Sequence, residues 1–281
     1  MNDNVLLVEK LIHDFWADSP ENTLSNGTGE KAWQEPLIGY ARATDPLFEK
    51  YCADLAPFYW SPQQAFAMAF PEQAISAKEL SVISWVLPQT AATCADQRQE
   101  NKLPAERWAR SRDFGEKFNC ALRLHLTKEL TAAGYPAVAP ERLPTFAYQQ
   151  SERFGIASNW SERHTAHIAG LGTFGLSDGL ITPQGKAVRI GSVIARIELP
   201  QTEADYSGYQ DWCLWFARGS CGVCIKRCPA GAISEAGHDK GKCFAYIREV
   251  TAPHAQKSYG TEATPCGLCQ VRIPCENKVP L

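Results

Sequence analysis

The sequence has no apolar run long enough to cross a membrane: the longest, around Val82 to Leu87, falls far short of the roughly 20 residues a spanning helix needs. A secretory leader is also missing from Met1 to Ala17, which carry Asp3, Glu9 and Asp14 where a basic region and an apolar core would stand, and no twin arginine. Neither sign of charge dominates. Lys and Arg number 28 against 31 Asp and Glu, a net charge of −3 that is too balanced for a protein living by non-specific nucleic-acid binding. Low-complexity segments and solenoid repeats are absent, and at 44% hydrophobic and 21% charged the 281 residues describe an ordinary globular chain with room for a full core. These absences lead to the expectation of a cytoplasmic protein with no membrane partner, whose thiols are reduced.

Periodicity organises the first three quarters. Val5, Val8, Leu11, Ile12 and Phe15 recur at helical spacing and predict an amphipathic helix, followed by a Ser-, Asn- and Gly-rich loop over 19–35. Leu80 to Leu87 is short, β-branched and stopped by Pro88, which predicts a buried strand. Phe114, Phe118, Leu122, Leu126 and Leu130 form a four-residue stripe between Pro104 and Gly134 and predict a long helix with Gly134 at its end. Thr145 to Tyr148 and Ala187 to Leu199 read as strands, the second preceded by a Gly-rich passage from Gly170 to Gly185. The expectation is an α/β layered domain over residues 1–207 and, from Gly208, a smaller domain over 208–281 in which Cys and Gly rise.

What the chain has in excess is sulfur. Eight of its 11 cysteines fall between Cys213 and Cys275, far more than an even spread would place there. The first group is Cys213, then Cys221-Gly-Val-Cys224-Ile-Lys-Arg-Cys228-Pro229; the second is Cys243, Cys266-Gly-Leu-Cys269 and Cys275. The core C-x2-C-x3-C-P of the bacterial ferredoxin run is intact in the first group, and in that run three thiolates hold one 4Fe-4S cube while the fourth crosses to the other. In the standard register the leading cysteine would be Arg218, so Cys213 has to supply that corner, and 22 residues separate Cys243 from Cys266. Each half still counts to four. Exchange of the last ligand gives Cys213, Cys221, Cys224 and Cys275 on one cluster, with Cys228, Cys243, Cys266 and Cys269 on the other. A zinc ribbon built on the two C-x2-C pairs is the competing account, and eight cysteines with a Cys-Pro dipeptide argue against it. Cys52, Cys94 and Cys120 are left as small core hydrophobes.

Arg218 to Ile233, together with Glu162-Arg163 and the run Ala169-Gly-Leu-Gly-Thr-Phe-Gly175 leading to Leu180-Ile-Thr-Pro183, resembles the epoxyqueuosine reductase and reductive dehalogenase superfamily over about residues 145–281. That resemblance implies a nitroreductase-like α/β domain that cradles cobalamin, followed by a ferredoxin-like domain with two 4Fe-4S clusters. It implies an oxidoreductase, an external electron donor of flavodoxin or ferredoxin type, and a small-molecule substrate. The chain also departs from it. The aspartate that donates a proton in epoxyqueuosine reductases falls in the stretch Gly155-Ile-Ala-Ser-Asn159, which has no acid, and the Lys-Asn after the glycine run is Leu176-Ser177. Residues 1–207 carry 19 basic and 25 acidic side chains, net −6, which argues against tRNA as a partner. A sibling branch is the expected placement.

Gly170, Gly172 and Gly175 form G-x-G-x-x-G, without the strand and the following acid of a dinucleotide site; the resemblance makes them cofactor-binding, and a tight turn is the alternative. Glu162, Arg163, His164 and His167 could place a proton donor near a cofactor, although Glu162-Arg163 also reads as a structural ion pair. Trp212 and Trp215 bracket Cys213 and read as a water shield. The functional expectation is a reductase that relays electrons through two 4Fe-4S clusters to a cobalamin or substrate site in the first domain. The alternative is an electron-transfer or accessory protein without a substrate of its own.

Overall fold

The computed structural model describes residues 2–152 and 155–281. The elements run α1 (Asp3–Asp18), β1 (Leu37–Arg42), α2 (Pro46–Leu55), α3 (Pro62–Ala69), β2 (Ser81–Pro88), α4 (Ala91–Gln99), α5 (Glu106–Ala132), β3 (Ala137–Val138), β4 (Tyr148–Ser151), β5 (Gly155–Ser158), α6 (Glu162–Ile168), β6 (Thr173–Phe174), β7 (Leu180–Ile181) and β8 (Val188–Ala195). The cysteine-rich remainder holds α7 (Leu214–Arg218), α8 (Val223–Arg227), β9 (Ile233–Ser234), β10 (Gly237–His238), α9 (Lys240–Tyr246) and α10 (Ala252–Tyr259), with a π-helical turn at Ile247–Thr251 joining the last two helices.

Four strands pair antiparallel in the order β1-β2-β8-β3. All eight residues of β2 are buried, because helices cover both faces of the sheet, and this is why its sequence is a near-continuous apolar run. Alternate side chains feed opposite layers. Ile83, Trp85 and Leu87 meet Val8 and Ile12 of α1 and the Phe118, Leu122, Leu126 and Leu130 stripe of α5. Val82 and Val86 meet Phe48 and Tyr51 of α2, Phe66 of α3 and Ala166 of α6. The result is a three-layer mixed α/β body.

Two details differ from expectation. Phe114 leaves the stripe and lies half-buried under the Lys117 ammonium, 4.5 Å from the ring centre. The strand anticipated at Thr145–Tyr148 begins only at Tyr148, as the hairpin β4–β5 outside the main sheet. The residues before it are captured by Asn159, whose side chain accepts from the Ala147 N–H at 3.2 Å and donates to the Thr145 carbonyl at 2.8 Å.

The cysteine-rich part is stitched to this body. The Lys186 N–H donates to the carbonyls of Cys275 at 2.9 Å and Glu276 at 3.0 Å, the Gln97 amide donates to the Cys266 carbonyl at 2.7 Å, and Arg98 pairs with the buried Glu276.

Candidate functional site

The two C-x2-C segments fold alike. Gly222 and Gly267, each the residue after the first cysteine, take left-handed conformations with φ +77° and +69°, and a short helical turn carrying the second cysteine follows each. Gly267 has a second constraint, since a Cβ there would run into the Trp108 ring. All 11 cysteines are free thiols.

Cys213, Cys221, Cys224 and Cys275 line one small cavity together with Leu176, Trp215 and Lys186. Burial pushes the Cys275 thiol up to about 11, and Cys213, Cys224 and Cys221 add to the rise. The other four form a second neighbourhood. Burial raises Cys243 to about 11 and Cys266 to about 12, and both feel Cys269 and Cys228. Cys213, Cys221, Cys224 and Cys275 thus share one neighbourhood and Cys228, Cys243, Cys266 and Cys269 another, with Cys224 and Cys269 close enough to interact across the boundary. Among the described residues no group of three or more His, Cys, Asp or Glu side chains is close enough to hold a single metal ion.

The second group opens onto two adjoining cavities. The inner one, about 440 Å³, is bounded by Cys243, Cys266, Cys269, Trp108, Lys186 and a charged network beneath α6. The outer one, about 700 Å³, shares Cys243, Arg163, Ser161, Tyr148 and His238 with it and adds His164, Phe174, Tyr209, Lys240 and Arg248. In the network Arg123 is 1% exposed and faces three carboxylates, Glu116 at 3.4 Å, Glu141 at 2.5 Å and Glu162 at 3.2 Å. Burial pushes Glu162 up to about 7, with Arg123 holding it back. Glu116 is buried too, yet Arg189, Arg123 and Arg112 bring it down to about 2. In the outer cavity the His164 ring is held by the Ser161 hydroxyl at 2.8 Å and the Tyr209 hydroxyl at 3.2 Å, and burial keeps it well below the usual histidine range, so it stays neutral near pH 7. Tyr209 stacks on Phe174 at 4.3 Å.

The sequence-predicted residues divide accordingly. His164 and His167 share a face of α6, but His167 is bound to the Gly172 carbonyl at 2.7 Å and stacked on Tyr206, a packing role. Glu162 does not pair with its neighbour in sequence: its partner is Arg123, from α5, while Arg163 turns away and donates to the Asp178 carbonyl. Gly170 packs on Thr202, and a Cβ on Gly172 would run into the Ile181 carbonyl oxygen, whereas Gly175 borders the cavity lined by Cys213 and its three companions. The acid-free 155–159 stretch contributes Ile156, Ala157 and Ser158 to the outer wall. Trp212 is buried among the thiols and Trp215 is half-buried beside them. Of the spare cysteines Cys94 is buried, whereas Cys52 and Cys120 are half-buried. Sequence reasoning missed Lys186, Arg123, Tyr209 and the Asp178–His238 pair at 3.2 Å. The tyrosines just ahead of Cys213 were the one available signal; the others come together only through long-range contacts.

No protein-family model matches the chain. Its curated relatives include an epoxyqueuosine reductase of Bacillus anthracis, 27% identical over 166 residues, covering 57% of this chain and 39% of that protein. An epoxyqueuosine reductase of Francisella cf. novicida (strain Fx1) is 33% identical over 126 residues, covering 43% of this chain and 33% of that one. The matched stretches thus span only about a third to two fifths of these relatives' own length. Among solved structures, the catabolic reductive dehalogenase NpRdhA in complex with 3-bromo-4-hydroxybenzoic acid aligns with 98% of this chain and 37% of its own at TM-score 0.54 and 16% identity. The epoxyqueuosine reductase of Streptococcus thermophilus aligns with 99% of this chain and 68% of its own at TM-score 0.51 and 13% identity. The fold is a mixed α/β one that matches those of the reductive dehalogenase and the epoxyqueuosine reductase. In sequence the chain is similar, at low identity, to epoxyqueuosine reductases. The charge balance that argued against tRNA as a partner finds no support in the comparisons. Among the described residues no helix is long and apolar enough to cross a membrane.

Proposed function

We propose that this chain is a cytoplasmic reductase in which two 4Fe-4S clusters pass single electrons to the adjoining cavities, with a nitroreductase-like body and a ferredoxin-like cysteine domain. The observation that carries this reading is the second thiol group, Cys228, Cys243, Cys266 and Cys269, three of whose members line a cavity large enough for a ligand. The donor set fits the clusters: two neighbourhoods of four thiols each, built on Cys-Gly-x-Cys turns, with Trp212 and Trp215 limiting water.

Cobalamin is the cofactor proposed for the cavities, where it would supply the reducing centre. The residues fit a large group with a polar edge. Gln89 Oε1 and Trp108 Nε1 are buried at the inner cavity without a hydrogen-bond partner, an acceptor and a donor that such an edge can satisfy. A group of that size needs both cavities, whereas a small substrate fits the outer one alone. Among the described residues the outer wall sets Arg163, Lys240 and Arg248 against the single carboxylate of Asp178, which suits an anionic small molecule. Two proton-bearing groups face the cavities where the expected aspartate is missing, the Tyr209 hydroxyl held by neutral His164 and the Glu162 carboxyl held by Arg123.

Electrons enter at the other thiol group. Cys221 is exposed, and the stretch 212–234 carries Arg218, Lys226 and Arg227 with no acid, a surface suited to an acidic one-electron carrier of flavodoxin or ferredoxin type. The accessory-protein reading predicts a filled interior, so the cavities beside Cys243 favour the reductase.

Anaerobic purification and reconstitution test the reading. About eight irons per chain, a brown colour, EPR signals of reduced 4Fe-4S clusters and a corrin absorbance change on adding cobalamin are expected. A colourless protein binding zinc would overturn it, and iron without any corrin change would leave the relay and remove the cobalamin.

A further inference from the structure

Lys186 stands in the short turn before β8, and only 3% of its surface is exposed. Its stem is clamped. The backbone N–H is tied to the Cys275 and Glu276 carbonyls, and the aliphatic chain lies so close over Gly179 that a Cβ there would strike it. The ammonium donates to the Ser177 hydroxyl, and among the described residues no carboxylate forms an ion pair with it. A buried ammonium with no counter-charge is strongly unfavourable unless an anion is placed against it.

The groups placed against it are sulfurs. Lys186 borders the cavity of Cys213, Cys221, Cys224 and Cys275, and it also borders the inner cavity with Cys243, Cys266 and Cys269. Its charge acts on Cys224 and Cys275 of the first group and on Cys269 of the second. Ser177, which it holds, also acts on Cys269, drawing its thiol down against the rise that burial causes.

We propose that Lys186 is the shared counter-charge of the two cluster sites, a positioning residue that sets the reduction potential of both. The inference rests on the two-cluster reading. A 4Fe-4S cluster with four thiolates is an anion, and reduction makes it more negative by one electron. An ammonium fixed between two such anions stabilises the reduced form of each, and burial keeps bulk salt from screening it. Both potentials are therefore held up together, which allows electrons to pass between clusters without a large drop at either.

The test is an EPR-monitored redox titration of the anaerobic holoprotein and its Lys186→Met, Lys186→Arg and Ser177→Ala variants, with iron counted in each. Lys186→Met is expected to move both midpoint potentials to more negative values at unchanged iron content, and Lys186→Arg to restore most of the shift. Ser177→Ala is expected to lower the potential of the Cys269 cluster while leaving the other near its original value; this arm decides the matter if Lys186→Met does not load iron. A Lys186→Met protein with two clusters and one or both potentials unmoved overturns the proposal, as does an unmoved Cys269 cluster in Ser177→Ala. A parent protein that takes up no iron overturns the two-cluster reading itself, so the two failures are distinguishable.

Discussion

Glu162 and Arg123 meet 3.2 Å apart beneath the inner cavity, one from α6 and the other from the middle of α5. Burial holds the carboxyl at about 7 against an ordinary value of 4.5. Between those two pH values the native state keeps a proton that the unfolded chain has released, so this group's contribution to stability falls as pH rises through the window. Glu162→Gln keeps the hydrogen bond to Arg123 and removes the titration. Relative to the parent, the variant is expected to gain about 1–3 kcal/mol on going from pH 5 to pH 8. Urea unfolding at both values measures it, and an unchanged difference between the proteins contradicts the buried pair.

Gly172 separates two accounts of the glycine run. A Cβ at this position meets the Ile181 carbonyl oxygen, so Gly172→Ala is expected to lose about 1–3 kcal/mol of stability in the absence of any cofactor. Thermal unfolding of the apoprotein reads this directly. Wild-type stability combined with weakened cobalamin binding would instead assign the glycine to the cofactor.

The grouping of thiols predicts which substitutions share a phenotype. Cys228→Ala and Cys266→Ala are expected to abolish the same EPR signal, while Cys224→Ala and Cys275→Ala abolish the other, each leaving about four irons. Cys228, next in line to Cys224 in sequence, is the informative residue. Loss of the Cys224 signal in Cys228→Ala would mean local and not crossed ligation.

Arg218 and Lys226 flank the exposed Cys221. Arg218→Glu/Lys226→Glu is expected to slow cluster reduction by a reduced flavodoxin at least tenfold at low salt, with the difference shrinking as ionic strength rises. Reduction by dithionite is the control and should be unchanged. Stopped-flow absorbance follows both, and equal slowing with the two reductants would remove the docking role.

The elements legible in the sequence were those whose apolar period is local. The α5 stripe and the continuous run of β2 each announce a face buried by the element's own residues, and they stand where the periodicity places them. The short strand near Tyr148 was misplaced because its boundary depends on Asn159, a side chain more than ten residues away that takes the backbone hydrogen bonds the strand would have used. The neighbouring Glu162 and Arg163 misled for a similar reason: adjacent helical residues point apart, and the buried partner comes from another helix.

The sequence alone determined that eight of the 11 cysteines would fall between Cys213 and Cys275. Cys-Gly-x-Cys is a local turn, and its chemistry survives any uncertainty about the rest of the chain. Tertiary structure alone decided what those thiols face. Lys186, Arg123 and Tyr209 reach the cavities from turns and helices far apart in the chain, and no spacing rule links them. The charges of Lys186 and Arg123 matter because packing removes them from water, and burial is a property of the folded whole.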